Sequence, residues 1–151
     1  MKKTAIIYAS VHHKNTERLL KEAVKNLNID LLTVKEAESA DLSPYEAVGF
    51  ASGIYAGKLH ASVERFIKNR EQALPRKSFI LCTSGMGKGF FAKRCSAYLR
   101  QKGFEVLGSF ECKGFDTFAF FKLFGGIAKN HPDEKDVQNA AAFLKKLTEA
   151  S

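Results

Sequence analysis

Residues 8–20, YASVHHKNTERLL, lie where a short apolar run ends and a helical pattern begins. The apolar run, TAIIY at residues 4–8, is typical of a buried strand, and Leu19 and Leu20 begin the apolar spacing of a helix. Between them the chain carries hydroxyl, imidazole, amide and ammonium groups and, as far as Thr16, no acid. A strand-to-helix turn of this composition predicts an α/β unit with an anion site at the start of its helix.

The alternation of strand and helix patterns continues to the end of the chain. Further strands are predicted at residues 29–34, 47–52, 78–83 and 105–112. Helices are predicted around residues 19–27, 59–67, 91–99 and 137–147. This alternation predicts a three-layer, doubly wound α/β fold with a five-stranded parallel sheet of order 2-1-3-4-5. We expect residues 1–151 to form a single domain.

Composition and charge exclude several classes of protein. The chain is 45% hydrophobic and 26% charged, as in ordinary globular proteins, and it has no 18-residue apolar run, so we expect no membrane span. Its three cysteines lack CxxC spacing, which indicates reduced thiols in a cytoplasmic protein. The net charge is +8, but the charges are spread along the chain, which favours a basic surface over nucleic-acid binding.

Sheets of the predicted kind bind ligands at the carboxyl ends of their strands, near the switch between strands 1 and 3. The loops that follow strands 1, 3 and 4 are therefore the candidate site. They are residues 10–16, 53–60 and 84–89.

The first loop has the donors that a phosphate group requires. Ser10 and Thr16 offer hydroxyls, Asn15 an amide and Lys14 a positive charge, at a helix start that already favours an anion. A second interpretation is that Ser10, Asn15 or Thr16 only caps the helix. One cap residue would suffice for that, and the loop carries several.

Other ligands fit this loop less well. His12 and His13 are adjacent, so their side chains point apart, and no carboxylate lies nearby in sequence, which disfavours a metal site. The loop has neither the GxxxxGK[ST] nor the GxGxxG pattern, which disfavours a nucleoside triphosphate and a dinucleotide.

The second and third loops suggest a flat ligand. Gly53 and Gly57 permit positive φ and a close backbone approach, and Tyr55 between them is placed to stack on a ring. The other interpretation of Tyr55 is a half-buried surface aromatic. The third loop, within TSGMGKG at residues 83–89, offers small residues and backbone N–H groups. A phosphate site flanked by these loops predicts a mononucleotide with a planar ring.

With these motifs the chain resembles the flavodoxin-like FMN proteins along nearly its whole length. The resemblance implies non-covalent FMN and redox chemistry supplied by the flavin, with no catalytic side chain and no metal. The residues that it assigns to the phosphate are Ser10, His12, Lys14, Asn15 and Thr16. Those that it assigns to the ring are Tyr55 and Gly57 on one edge and Thr83, Ser84, Gly85 and Gly87 on the other.

The function implied by the resemblance is electron transfer between redox partner proteins. The chain departs from the family in Lys14, where a glycine is common, and in being basic where many flavodoxins are acidic, so an acidic partner fits it. The alternative is an FMN-dependent oxidoreductase of the same fold, a quinone reductase or a menaquinone-linked protoporphyrinogen dehydrogenase, whose second loop is similar to ASGIYAGKLH at residues 51–60. A receiver domain is disfavoured because strands 1 and 3 end without acids.

Two further features have open interpretations. Five of the 13 phenylalanines lie in residues 115–124, either as core at the sheet edge or as an apolar surface for a partner or a quinone. Lys58 and Lys88 lie in the second and third loops, neither of which contains an acid. Their charge either raises the potential of the flavin or docks an acidic partner.

Overall fold

The computed structural model describes residues 3–9, 15–85, 87–114 and 133–150. Within these ranges the strands are β1 (Lys3–Tyr8), β2 (Ile29–Thr33), β3 (Tyr45–Tyr55), β4 (Lys58–Leu59), β5 (Lys77–Ser84) and β6 (Glu105–Lys113). The helices are α1 (Asn15–Ala23), α2 (Val34–Glu38), α3 (Ala61–Arg70), α4 (Phe90–Gln101) and α5 (Glu134–Ala150), with a 3-10 turn at Glu71–Ala73. The phenylalanine-rich segment at residues 115–124 lies outside the described residues.

The long strands form a sheet in the order β2-β1-β3-β5-β6, and every neighbouring pair in it is parallel. This confirms the predicted order, since β5 and β6 are the fourth and fifth strands predicted from the sequence. The register places Tyr8 beside Ala51 and Gly53 beside Thr83. The carboxyl ends of β1, β3 and β5 therefore meet at one edge of the sheet.

The predicted second loop is a β-hairpin for most of its length. β3 continues to Tyr55, and Ile54 and Tyr55 pair antiparallel with Leu59 and Lys58 of β4. The prediction that β3 ends at residue 52, and that Leu59 belongs to the next helix, was therefore wrong. The turn is formed by Ala56 (φ 52°) and Gly57 (φ 80°), and positive φ at both central residues is the pattern of a type I′ turn, which matches the twist of paired strands.

A short helix, α2, follows β2 where the sequence predicted only the end of a strand. Thr33 caps it: the Thr33 hydroxyl accepts a hydrogen bond from Glu36 N, and the Glu36 carboxylate accepts one from Thr33 N. This capping box ends β2 at Thr33 and begins the helix at Val34. The Arg70 guanidinium donates to the backbone carbonyls at the other end of α2, which fixes this helix against α3.

The core lies on both faces of the sheet. Neighbouring strand residues point to opposite faces, so Ile6 and Ile7 are both fully buried but belong to different clusters. One cluster joins the sheet to α2, α3 and α4, and includes Val63, Phe66, Ile67 and Leu99. The other joins the sheet to α1 and α5, and includes Leu19, Leu20, Ala140 and Leu144. The predicted three-layer arrangement is confirmed.

We expect Gly49→Ala to lower the free energy of unfolding by roughly 1–3 kcal/mol, because overpacking a filled core forces side chains from their rotamers. A methyl group on Gly49 of β3 would overlap the ring of Phe79, which is 1% exposed. Urea denaturation measures the effect. Gly108→Ala is the matched control, since a methyl group there would lie 3.1 Å from the ring edge of the half-buried Phe143, a close contact but not the 2.3 Å overlap that Phe79 would make at Gly49. Equal stability of the two variants would contradict the prediction.

Candidate functional site

The candidate site lies at the carboxyl edge of the sheet, where three segments converge. Ala9 N donates to Ala51 O over 3.1 Å, so the pairing of β1 and β3 continues one residue past β1. β5 ends beside it at Ser84. The first turn of α1, the hairpin and the loop before α4 therefore surround the same edge.

Of the predicted phosphate residues, the structure describes the two at the start of α1. Ser10, His12 and Lys14 lie outside the described residues, and Asn15 is described by its backbone as the first residue of α1. The Thr16 side chain is 2% exposed, and its Oγ1 lies 3.2 Å from Oγ1 of Thr83, which is also buried. This hydrogen bond joins a predicted phosphate residue to a predicted ring residue, across 67 positions of sequence.

A second contact fixes α1 at the end of β1. The Tyr8 hydroxyl donates to Glu17 Oε1 over 3.1 Å, and Lys21 Nζ lies 3.3 Å from the same oxygen. Burial, together with the hydrogen bond to Glu17, raises the pKa of Tyr8 to about 12. The phenol therefore stays protonated at neutral pH and remains a donor. Neither residue was predicted to belong to the site, because the contact joins a strand end to a helix.

The hairpin carries Tyr55, which is half-buried. Its ring lies edge-to-face on His60, with centroids 5.1 Å apart and planes at 88°. A methyl group on Gly53 would lie 3.3 Å from the Tyr55 hydroxyl, so the ring covers Gly53, two residues back on the same face of β3. Gly53 lies in β3 and does not adopt the positive φ that a glycine permits, whereas Ala56 and Gly57 of the turn do.

His60 joins the hairpin to α3. Its Nδ1 accepts a hydrogen bond from Ser62 N over 3.1 Å and thereby caps α3. The His60 backbone N–H donates to Ser52 Oγ over 2.9 Å. The ring against which Tyr55 packs is therefore held at Nδ1 by Ser62, and the backbone that carries it is held by Ser52.

The third loop is shaped by the Ser84 side chain. Its hydroxyl donates to Glu111 Oε2 over 2.7 Å and accepts from Gly87 N over 2.8 Å. Gly85 follows β5 directly. Gly87 has φ 65°, and a Cβ there would lie 2.6 Å from Lys113 N, so both its conformation and its packing require glycine.

The residue that the sequence did not predict is Glu111, on β6. Its Oε1 accepts from Ala92 N over 2.8 Å in the first turn of α4, and its Oε2 accepts from Ser84. The N-cap residue of α4, Gly89, has no side chain, so a carboxylate from another element supplies the cap and meets the positive end of the helix. The sequence signal was an acid inside an otherwise half-buried strand.

The cysteines do not provide a nucleophile. Cys82, Cys95 and Cys112 are all buried and form no disulfide. Burial raises the pKa of Cys82 well above its ordinary value and that of Cys95 to about 11, so both thiols are protonated at neutral pH.

Two kinds of feature are absent from the part of the chain that the structure describes. No three of its histidines, cysteines and acids are grouped to hold a metal ion. None of its helices is long and apolar enough to cross a bilayer.

Comparison with known proteins identifies the family. A model of the flavodoxin domain matches residues 5–129. The chain belongs to the flavodoxin domain family. It is also 42% identical over 147 residues to an uncharacterized protein of Methanocaldococcus jannaschii, covering 96% of this chain and 97% of that protein.

Solved structures with the same fold are more distant in sequence. A flavodoxin mutant of Fusobacterium nucleatum bound to flavin mononucleotide aligns with 99% of this chain and 97% of its own length, with a TM-score of 0.65 at 15% identity. The Flv1 flavodiiron core of Synechocystis aligns with 99% of this flavodoxin-family chain at a TM-score of 0.62 and 13% identity. The chain spans 37% of the Flv1 chain.

We expect Glu111→Ala to lower the free energy of unfolding by about 1.5–3 kcal/mol, since it removes hydrogen bonds to a charged group. It should also increase hydrogen exchange at the Ala92 amide, which loses its acceptor. Glu111→Gln should cost less, because its amide oxygen still accepts from Ala92. Urea denaturation and amide exchange measure both effects. Glu105→Ala is the control, because Glu105 lies exposed on the same strand, and an equal loss there would refute a specific role for Glu111.

Proposed function

We propose that this flavodoxin-family protein binds FMN non-covalently at the carboxyl edge of its sheet and transfers electrons between redox partner proteins. The main support for the proposal is that three segments converge at this edge. The flavodoxin domain model also matches most of the chain. The bound flavin would supply the redox chemistry, and the protein would bind, orient and shield it.

The described residues fit a phosphate at the start of α1. The first N–H groups of a helix have no partner within the helix, and the helix dipole favours an anion there. The buried Thr16 hydroxyl lies in this first turn. We propose that Ser10, His12, Lys14 and Asn15 complete the phosphate site with it.

We propose that the hairpin and the third loop hold the flat ring between them. Tyr55 and Gly57, in the positive-φ turn, would border one side, and Thr83, Gly85 and Gly87 would border the other. We expect Ser84 to contribute through its backbone, because its hydroxyl already donates to Glu111 and accepts from Gly87.

The described side chains leave the redox chemistry to the bound flavin, as the proposed electron carrier requires. The Cys82 and Cys95 thiols are held protonated, and the Glu111 carboxylate accepts hydrogen bonds from Ser84 and Ala92. Neither provides a nucleophile or a general base at the proposed ring site. We also propose a cytoplasmic location, which the three free cysteines support.

The phosphate site can be tested by comparing FMN with riboflavin in fluorescence-quenching titrations. We expect much tighter binding of FMN, since riboflavin lacks the phosphate that the donors at the start of α1 are proposed to bind. Thr16→Ala should weaken FMN by roughly 10- to 100-fold, because a charge-assisted hydrogen bond contributes about 1.5–3 kcal/mol. Riboflavin should be weakened less, since it loses only the contact through which Thr16 holds the ring residue Thr83. Thr33→Ala, which removes the cap of α2, is the control. Equal affinity of the wild type for the two flavins would refute the proposed phosphate site.

The position of the ring can be tested with Tyr55→Ala. Stacking on an aromatic quenches flavin fluorescence, so we expect this variant to release much of the quenching and to bind FMN about 1 kcal/mol more weakly. Tyr98→Ala is the control, since Tyr98 is another half-buried tyrosine, on α4. Quenching as strong as in the wild type would place the stacking partner elsewhere.

Turnover by the isolated protein separates a carrier from an enzyme. We expect the FMN-loaded protein to oxidise NAD(P)H slowly and to be reduced faster by a partner reductase, as stopped-flow absorbance would record. Rapid steady-state reduction of a quinone, or oxidation of protoporphyrinogen, would instead support the oxidoreductase of the same fold.

A further inference from the structure

We propose that the protein docks an acidic redox partner on a basic surface centred on Phe90, beside the proposed flavin site. This inference rests on the proposed electron-carrier function and adds the place and the chemistry of the partner. The surface, called the Phe90 face below, consists of Phe90, Lys58, Lys88, Lys93 and Arg94.

An exposed aromatic ring lies at the centre of this face. Among the large hydrophobic residues that the structure describes, only Phe90 is exposed, at 62%. Its ring lies 5.3 Å from that of Phe91, and Arg94 Cζ lies 6.0 Å from its centroid. An aromatic anchor next to arginine is the composition that dominates binding energy at protein interfaces.

The Phe90 face adjoins both loops proposed to hold the flavin ring. α4 begins at Phe90, directly after the third loop. On the other side, a methyl group on Gly57 would lie 3.1 Å from Arg94 Nη1 and 3.8 Å from the Phe91 ring, so the hairpin turn packs on the first turns of α4. A partner on this face would therefore sit beside the proposed ring site.

The packing of α4 directs these side chains outward. The stripe of Ala92, Cys95, Ser96 and Leu99 is buried against the sheet. Phe90, Lys93 and Arg94 lie on the opposite side of the helix and are exposed. Residues three and four positions apart are neighbours on a helix, so both cations flank the Phe90 ring.

The charged residues in and around α4 are all basic in sequence. Residues 72–104 contain no Asp or Glu, and their basic residues are Arg76, Lys77, Lys88, Lys93, Arg94, Arg100 and Lys102. Residues 47–63 also contain no acid and add Lys58. A positive surface of this kind attracts a negative partner and speeds its encounter.

The cations of the Phe90 face form no ion pair with an acid of the described residues. Away from this face, Lys77 pairs with Glu46 and Lys102 with Glu71. The ion pairs of the described residues include none of the four cations of the face. The Glu111 carboxylate at the start of α4 turns inward to Ala92 N and Ser84.

The shape of the charge pattern favours a protein as the partner. Lys93 and Arg94 flank one exposed ring, and the exposed Lys58 and Lys88 lie in the two adjoining loops, which gives an apolar centre with a charged rim, the arrangement of protein interfaces. A nucleic acid or an anionic membrane is bound by a longer positive track. An acidic protein therefore fits this face better than a nucleic acid or an anionic membrane.

Stopped-flow oxidation of the dithionite-reduced, FMN-loaded protein by an acidic c-type cytochrome tests the proposal. Each transfer oxidises the flavin by one electron and reduces one ferric haem to ferrous. At about 10 mM salt, where charges interact over about 30 Å, we expect this cytochrome to react roughly tenfold faster than a basic one of similar potential. Raising the salt should remove the difference. A faster reaction with the basic cytochrome would overturn the proposal.

Variants locate the docking surface. The double variant Lys93→Gln with Arg94→Gln should slow the acidic cytochrome roughly tenfold at low salt. The control, Lys145→Gln with Lys146→Gln, makes the same charge change at two adjacent exposed residues of α5, on the opposite face of the sheet. An equal loss in the control would mean that net charge alone acts, which would overturn the proposal. Phe90→Ala should slow the reaction without changing its salt dependence, and Phe90→Tyr should restore it.

Mapping the bound cytochrome by ¹⁵N NMR tests the docking surface independently of flavin binding. Failure of the protein to take up FMN would refute the flavin proposal, but the full chain can still be titrated with the acidic cytochrome. We expect amide shifts at residue 58 and residues 88–94. Shifts confined to other surfaces, or tighter binding of oligouridine or phosphatidylglycerol vesicles at the same salt, would refute docking on the Phe90 face.

Discussion

The rest of the molecule depends on the parallel pairing of β1, β3 and β5. Parallel strands end at the same edge, so the pairing of Tyr8 with Ala51 and of Gly53 with Thr83 brings three distant segments together. Buried side chains on both faces hold the strands in this register, since a slip of one residue would exchange the faces. The Thr16–Thr83 hydrogen bond then joins the start of α1 to the end of β5 at this edge. The proposed flavin site follows from this convergence.

At the same edge, the Glu111 carboxylate is turned toward the third loop and α4, whereas Lys58 and Lys88 are exposed. Glu111 reaches Ser84 and the first turn of α4, so its charge serves the structure of the loop. Lys58 and Lys88, which the sequence marked either as tuning the flavin or as docking a partner, are both exposed. Their exposure supports docking of an acidic partner.

The long elements could be predicted from the sequence, because buried strands are continuous apolar runs and helices repeat their apolar residues at a regular spacing. The hairpin at residues 53–59 could not, because it depends on positive φ at Ala56, where asparagine, aspartate or glycine is the usual residue. Glu111 could not either, since its partners lie 27 and 19 positions away. Of the predicted phosphate residues, Thr16 is the one whose side chain the structure places, and its burial beside Thr83 needed the fold.

Titration of the ¹⁵N-labelled protein with FMN tests whether the flavin binds at the carboxyl edge of the sheet. We expect saturation at one FMN per chain, with amide shifts concentrated at the start of α1, the hairpin at residues 53–60 and the loop at residues 83–89. Amides of α5 beyond its first turns and of the 3-10 turn at Glu71–Ala73 should stay unchanged. The absence of shifts at a saturating concentration, or shifts centred on the opposite edge of the sheet, would contradict flavin binding at this edge.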